Sequence, residues 1–493
     1  MTESGRHLLR RRPAVASLAM VALVSIGCQS GYRSDARMLT NHWDRGDYSA
    51  AAAAGSMAAK ANEHDDIDRV VYNLEAGRTT QAAGDIRSSV VFFDLAYSDV
   101  RPYLDTEAED TVSEAVVTTA VNQTMATYRG TPNERILMST MQAVNFMVMG
   151  DMESARIELN RALDWQQDAE RRYAKEIERE QAAIERAAEE EEVETETDAR
   201  SGLPESVAPH YAYLQDLRGY GAYRNPFPSH LRGVFLLARA VDVGDLANAR
   251  TDLNQVAGMS PDAMPMLEAD LALADRAPTA GMPPVTWIYF LPGRAPHKDE
   301  LRLDIPIPVG NVNYVSAAFP RLVHNRNHHV GLEVHGPEVE TVTSLQIADN
   351  DRIVASEFNE RLPTIVTQEI ISSAAKATAT WALKESAGEY GELAGILYQA
   401  ASTAADTRSW RTMPAVIEVA RVPTPADGAL EFVADGRGLG RVGVAPDECN
   451  IVIVTLPSVD AAEASIMNIQ LTGERIPWTD PEQDDESDPS PAA

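Results

Sequence analysis

Two hydrophobic patterns divide this chain of 493 residues. From Met38 to about Met259, apolar residues recur at three- and four-residue spacing through stretches rich in Ala, Leu, Met, Glu and Arg, which predicts a succession of amphipathic helices. The Pro-rich segment Ala277 to Pro284 (APTAGMPP) ends that pattern and marks a domain boundary. Beyond it, Val285 to Leu291, Asn313 to Ala318, Ala415 to Val422 and Ile451 to Leu456 are β-branched and aromatic runs bounded by Pro and Gly, which read as strands. Between them Asp351 to Thr403 returns to a helical pattern, with Trp381, Leu383, Leu393, Ile396 and Leu397 as apolar positions. Strands, helix and strands again, without βαβ alternation, predict an antiparallel, sandwich-like sheet domain over 285–472 with a helical insertion over 351–405. The fold class expected is therefore α+β and multidomain.

One element recurs within the helical half. Gly46-Asp47-Tyr48 with Ala51, Gly84-Asp85-Ile86 with Ser89, Gly150-Asp151-Met152 with Ala155 and Gly244-Asp245-Leu246 with Ala249 all fit Gly-Asp-apolar-x-x-small. Glycine can take the left-handed conformation that ends one helix, and aspartate can accept from the first amides of the next. The pattern predicts helical hairpins and resembles the turn inside a tetratricopeptide repeat. The spacings of 38, 66 and 94 depart from the usual period of 34, with a turnless helical unit at Thr111 to Gln123, so a generic helical array is the alternative. The repeats are expected over 38–165, interrupted by a charged helix and acidic loop over 166–204, and continued by further hairpins over 205–276. In the interruption, Arg172 with Glu176 and Arg186 with Glu190 stand four apart on one exposed face. An aromatic, Gly-rich stretch from Leu214 to Phe227 leads into the helix that follows. The acidic, Pro-containing end, 473–493, is expected to be disordered.

The N-terminus changes the picture most. Residues 6–12 are basic, 14–27 form an uncharged apolar run too short to span a bilayer, and Cys28 follows. Ser25-Ile26-Gly27-Cys28 resembles the lipobox of bacterial lipoproteins, which implies cleavage of 1–27, acylation of Cys28, a tether over 28–37 and a membrane contact through the lipid. Gln29 after the cysteine resembles outer-membrane sorting, with the protein facing the periplasm. Cys449 is then left without a disulfide partner, and its place at the start of an apolar run fits a buried structural thiol. A net charge of −31 excludes a nucleic-acid-binding basic face.

Candidate chemistry is sparse. The chain has no GxSxG, no GxxxxGK[ST], no HExxH and no CxxC, so no catalytic residue, cofactor or metal is assigned from sequence. His324, His328, His329 and His335 are the nearest approach to a metal set, but Pro320 before the pair His324 and His328, Arg326 between them and Gly331 after them point to a surface turn. Asp406-Thr407-Arg408-Ser409-Trp410 reads as a turn in which Asp406 and Arg408 bond the backbone while Trp410 anchors the strand that follows.

Four blocks, in their order and spacing, resemble an uncharacterised family of bacterial envelope lipoproteins with tetratricopeptide-like N-terminal halves. They are Tyr128-Arg129-Gly130 with Glu134-Arg135 and Gly150-Asp151; Gly219 to Tyr223 with Asn225-Pro226-Phe227; Ala317 to Pro320; and Asp406 to Trp410 with Met413-Pro414. The resemblance runs from about Tyr128 to Leu456. Some relatives occur beside small lipoproteins that activate penicillin-binding proteins, which implies a role in cell-wall assembly and supplies no catalytic residues. The expectation is a non-enzymatic scaffold or adaptor whose concave helical surface meets an envelope protein. A wall-modifying hydrolase active in the C-terminal domain and a passive structural lipoprotein are the alternatives.

Overall fold

A computed structural model describes residues 31–102, 124, 126–173, 175, 177–179, 181–182, 201–217, 219–220, 223–276, 281–306, 315–337, 339–402 and 404–473. The signal segment 1–27, Cys28, the turnless unit from Thr111 to Gln123, most of the acidic loop and the tail beyond Gly473 lie outside the described residues.

The helical half comprises α1 (31–44), α2 (Tyr48–Ala61), α3 (Arg69–Ala82), α4 (Ile86–Val100), α5 (Pro132–Met149), α6 (Met152–Asp168), α7 (Pro226–Ala238), α8 (Val243–Met259) and α9 (Met264–Ala274). Gly46, Gly84 and Gly150 have φ of +72°, +88° and +85°, and each is followed by an aspartate that caps the next helix. Asp47, Asp85 and Asp151 accept from the N–H groups of Ala50, Ser88 and Ser154. The turn expected at Gly244 and Asp245 is displaced. Asp242 is the cap there, accepting from the N–H of Asp245 at 3.0 Å, while Asp245 accepts from Val241 N–H at 3.0 Å. An earlier capping residue starts α8 at Val243, which leaves Gly244 in its first turn with no need for a left-handed conformation.

The hairpins have an inner and an outer row. α3, α5 and α7 are buried on nearly every side, whereas α2, α4, α6 and α8 each keep an exposed face. The inner row lies on a five-stranded sheet of order β11-β10-β1-β7-β6. Its strands are β1 (Val285–Pro292), β6 (Leu345–Asp349), β7 (Val416–Pro423), β10 (Asn450–Leu456) and β11 (Ser465–Gln470). The sheet is mixed rather than wholly antiparallel, because β10 runs parallel to β1 with Ile451 opposite Trp287. Trp287, Tyr289, Ile417, Val419, Ile451 and Ile453 project into the same apolar core as Leu74, Val144 and Phe235 of the inner helices. On the other face Ile288, Phe290, Ala420, Val452 and Val454 meet Val334, Leu430 and Phe432 of a four-stranded sheet. That second sheet has the order β5-β4-β8-β9, from β4 (Glu333–Gly336), β5 (Val339–Thr343), β8 (Ala429–Ala434) and β9 (Arg437–Gly443). The layers are thus helices, buried sheet and outer sheet. Burial on both faces explains why β1 and β10 are continuous apolar runs rather than alternating ones.

A separate β2–β3 hairpin (Arg294–Ile305 and Val315–Asn325) carries α10 (Asn350–Ser402), whose Phe358, Leu362, Val366 and Ile370 cover Val315, Ala317 and Phe319. Two expected boundaries are corrected. The Pro-rich segment ending at Pro284 is a change of secondary structure but not a break in the core, which runs from Tyr32 to Leu471. The tether expected over 28–37 is helical from residue 31, with Tyr32 and Ala36 in that core, because the i, i+4 spacing of Tyr32, Ala36 and Trp43 with Leu39 gives α1 an inward apolar stripe.

Candidate functional site

The segment from Ala405 to Pro414, which leads into β7, lies against the helical half and is held there by side chains from three helices. From α1, the Tyr32 hydroxyl donates to the Ser409 carbonyl at 2.8 Å and accepts from the Ser409 N–H at 3.2 Å. From α3, Glu75 accepts from the Arg411 N–H at 2.6 Å and from the Thr412 hydroxyl at 2.7 Å. From α5, Glu134 accepts from the Trp410 N–H at 2.8 Å. An extended segment without strand partners has backbone donors to satisfy, and here carboxylates and a phenol replace a neighbouring strand.

Glu134 has two tasks. It is the third residue of α5, and with Thr131 it forms a capping box, accepting from Thr131 N–H at 2.9 Å and from the Tyr128 hydroxyl at 2.6 Å. The Tyr128 to Arg135 block therefore makes a helix start and a contact to Trp410 with one side chain. Trp410 is 1% exposed, its ring N–H donates to Thr412 at 2.9 Å, and it meets Phe93 edge-on at 5.9 Å between centroids.

Arg408 forks onto Asp406 at 2.8 and 3.0 Å, reaches Asp68 at 2.9 Å, and donates to the Ala126 carbonyl at 2.8 Å. Its guanidinium lies over Tyr128, 5.4 Å from the ring centre. Burial by itself would raise the Asp406 carboxyl, but the charges of Arg408 and Lys298 and the bonds from Arg408 hold it at about 2. Asp68, with one bond to Arg408, is instead raised, because burial outweighs that pairing. Burial likewise pushes Glu75 up to about 7 and Tyr32 up to about 12.

A second polar cluster lies below the segment. Asn225 donates to Asn133 at 2.8 Å and to Asn350 at 3.2 Å, and Asn350 donates to the Pro414 carbonyl at 2.8 Å. Asn133 N–H donates to Glu357 of α10 at 2.8 Å, and burial raises that carboxyl to about 8. Asn225-Pro226-Phe227 and Met413-Pro414, distant in sequence, are thus joined.

The other expected residues scatter. The hairpin residues at Gly46, Gly84 and Gly150 sit at turns away from the segment. His324 pairs with Asp351 at 3.3 Å, His328 with the His329 carbonyl at 3.0 Å, His329 with Asp435 at 2.5 Å and His335 with Glu333 at 3.3 Å, so the four histidines face different partners. Among the described residues no three His, Cys, Asp or Glu side chains are grouped to hold a metal ion. Cys449 is buried and faces the Pro283 carbonyl at 3.5 Å, with its thiol raised by burial. Sequence reading missed Tyr32, Asp68 and Glu75. The available signal is the placement of Glu75 beside Val71 and Leu74 on a helix otherwise turned inward. Compared with models of protein families, with curated proteins and with solved structures, the chain matches none.

Proposed function

We propose that this chain is a lipid-anchored scaffold of the bacterial cell envelope, non-enzymatic, facing the periplasm from the outer membrane and holding an envelope protein close to the membrane surface. The observation that carries this reading is the short distance in sequence between the lipobox-like Cys28 and the buried Tyr32. Only Gln29, Ser30 and Gly31 separate them, and four backbone steps reach about 14 Å at full extension. An acyl group on Cys28 would therefore hold the folded body against the bilayer rather than on a long leash.

The helical hairpins read best as tetratricopeptide-like, but their inner row is covered by the chain's own sheet and by Ala405 to Pro414. A partner is accordingly assigned to the outer row, where Val91 and Leu95 of α4 and Ile157 of α6 are 56%, 47% and 57% exposed. The resemblance to lipoproteins found near penicillin-binding-protein activators makes wall assembly the pathway to examine first.

The test is crosslinking in cells, affinity capture and mass spectrometry of the native protein beside a Cys28→Ser variant. A reproducible envelope protein captured with the native chain, reduced in the unanchored variant and in Val91→Lys/Ile157→Lys, is the expected result. Recovery of the bait alone would retire the scaffold reading.

A further inference from the structure

A cavity of about 220 Å³ opens between α1, the β2–β3 hairpin and the segment before β7. Its wall gathers Arg33 and Arg37 of α1, Arg294 and Lys298 of β2, and Arg411, with Asp299 as the one carboxylate among the described lining residues. Five permanent cations around one small cavity are unexpected in a chain of net charge −31.

Local pairing does not neutralise them. Arg33 bonds Glu300 at 2.7 Å and Arg294 bonds Asp44 at 2.5 Å, while Asp299 is itself within 3.5 Å of Arg321. Arg37, Lys298 and Arg411 have no carboxylate at ion-pair distance among the described residues; the charge of Lys298 acts on buried Asp406 from farther away. Arg411 is only 8% exposed, and its Nε has no hydrogen-bond partner. The Nδ1 atom of His297, in the same wall, has none either. Glu75, whose charge also acts on Arg411, is pushed up to about 7 by burial and so is about half protonated near neutral pH. A buried guanidinium N–H without an acceptor costs free energy that a charged acceptor would recover.

The group that answers three unbalanced cations and two unpartnered polar atoms together is a compact oxyanion with several acceptor oxygens and more than one charge. The cavity is smaller than the roughly 300–1,000 Å³ of sites for drug-sized molecules, as suits a single tetrahedral group. We propose that this cavity binds a phosphate group, carried either by a soluble phosphate or by the headgroup of an anionic phospholipid. A shallow open hollow shares Arg33 and Arg37 with it and adds the exposed Met38, leaving room for the rest of a phosphate ester along α1. The inference does not require acylation of Cys28.

The test uses the full chain carrying Cys28→Ser, so that no acyl group contributes, beside the same chain with Arg37→Gln and Lys298→Gln. Inorganic phosphate and glycerol 3-phosphate are titrated calorimetrically at ionic strength matched with chloride. Flotation is measured with vesicles of phosphatidylcholine alone or mixed with phosphatidylglycerol. Saturable phosphate binding weakened about tenfold or more in the variant supports a soluble ligand. Flotation that requires phosphatidylglycerol and is lost in the variant supports a headgroup. Absence of both, or binding that the two substitutions leave unchanged, overturns the site. A reading free of any folding defect comes from the parent protein. Burial, with Arg411 and Arg294 nearby, holds His297 down at about 4, and bound phosphate should raise that titration. If no histidine resonance responds either to inorganic phosphate or to glycerol 3-phosphate, and the protein does not float with phosphatidylglycerol, the site is overturned.

Discussion

Replacing Glu75 with glutamine separates the charge of the clasp around Ala405 to Pro414 from its hydrogen bonds. In the native protein Glu75 accepts from Arg411 N–H and from the Thr412 hydroxyl, and burial raises its carboxyl from 4.5 to about 7. A value raised on folding means that the folded protein holds the proton more tightly than the unfolded chain does. The associated stability is complete below pH 4.5 and is lost as pH rises through 7. At about 1.4 kcal/mol per pH unit, the difference amounts to roughly 3 kcal/mol once the carboxylate is ionised. Glutamine has no charge to bury, keeps an oxygen for Arg411 N–H and can donate its amide to Thr412 Oγ1. Relative to the native protein, Glu75→Gln should therefore gain roughly 3 kcal/mol between about pH 5 and about pH 9. Urea unfolding followed by tryptophan fluorescence across that range reads the difference directly. A stability difference that stays flat with pH would refute the reasoning, because it would mean that Glu75 carries the same charge in both states throughout.

Two further substitutions test the clasp and the turns. Arg408→Met strands Asp68 and Asp406 in the interior and should cost about 3–5 kcal/mol at neutral pH in the same urea assay. That cost should shrink toward pH 4, since both acids can then take up a proton; one that grows on acidification would contradict the pairing. Gly84→Ala forces alanine to φ +88° and should cost about 1–2 kcal/mol, whereas Gly244→Ala, inside the first turn of α8 with its new methyl 3.1 Å from the capping oxygen of Asp242, should change stability by less than about 1 kcal/mol. Thermal melts of the two variants check the order, and the reverse order would restore the turn to Gly244.

Local chemistry was legible in the sequence where the signal is itself local. Gly-Asp pairs mark three hairpin turns because a left-handed residue and a capping carboxylate need only their immediate neighbours. The fourth pair misleads because Asp242, three residues earlier, competes for the same amides. Runs such as VTWIYFL read as strands, but their lack of alternation, which fits burial on both faces, does not say whether a helix or a second sheet supplies the cover. β2, with the sequence RAPHKDELRLDI, gives no strand signal because its charges face solvent or the basic cavity. The polar residues of the inner helices are harder still. Gln81 donates to the Met141 carbonyl and to Asn145, yet in sequence it is indistinguishable from a surface glutamine. Asp406, Arg408 and Trp410 read as a turn in the sequence, while the acids that hold the segment around them, Asp68, Glu75 and Glu134, come from the helical half about 270 to 340 residues earlier.

The inner row of helices is completed only by strands that are synthesised last. Leu74, Val144 and Phe235 find their apolar neighbours on β1, β7 and β10, and the Tyr48 hydroxyl donates to the carbonyl of Thr455. The sheet-facing side of the inner helices is therefore covered in full only once about residue 471 has emerged. Contacts so distant along the chain make folding slow and leave a long interval in which that surface is exposed to aggregation. A chain exported during this interval would cross the membrane with the sheet-facing side of those helices still uncovered.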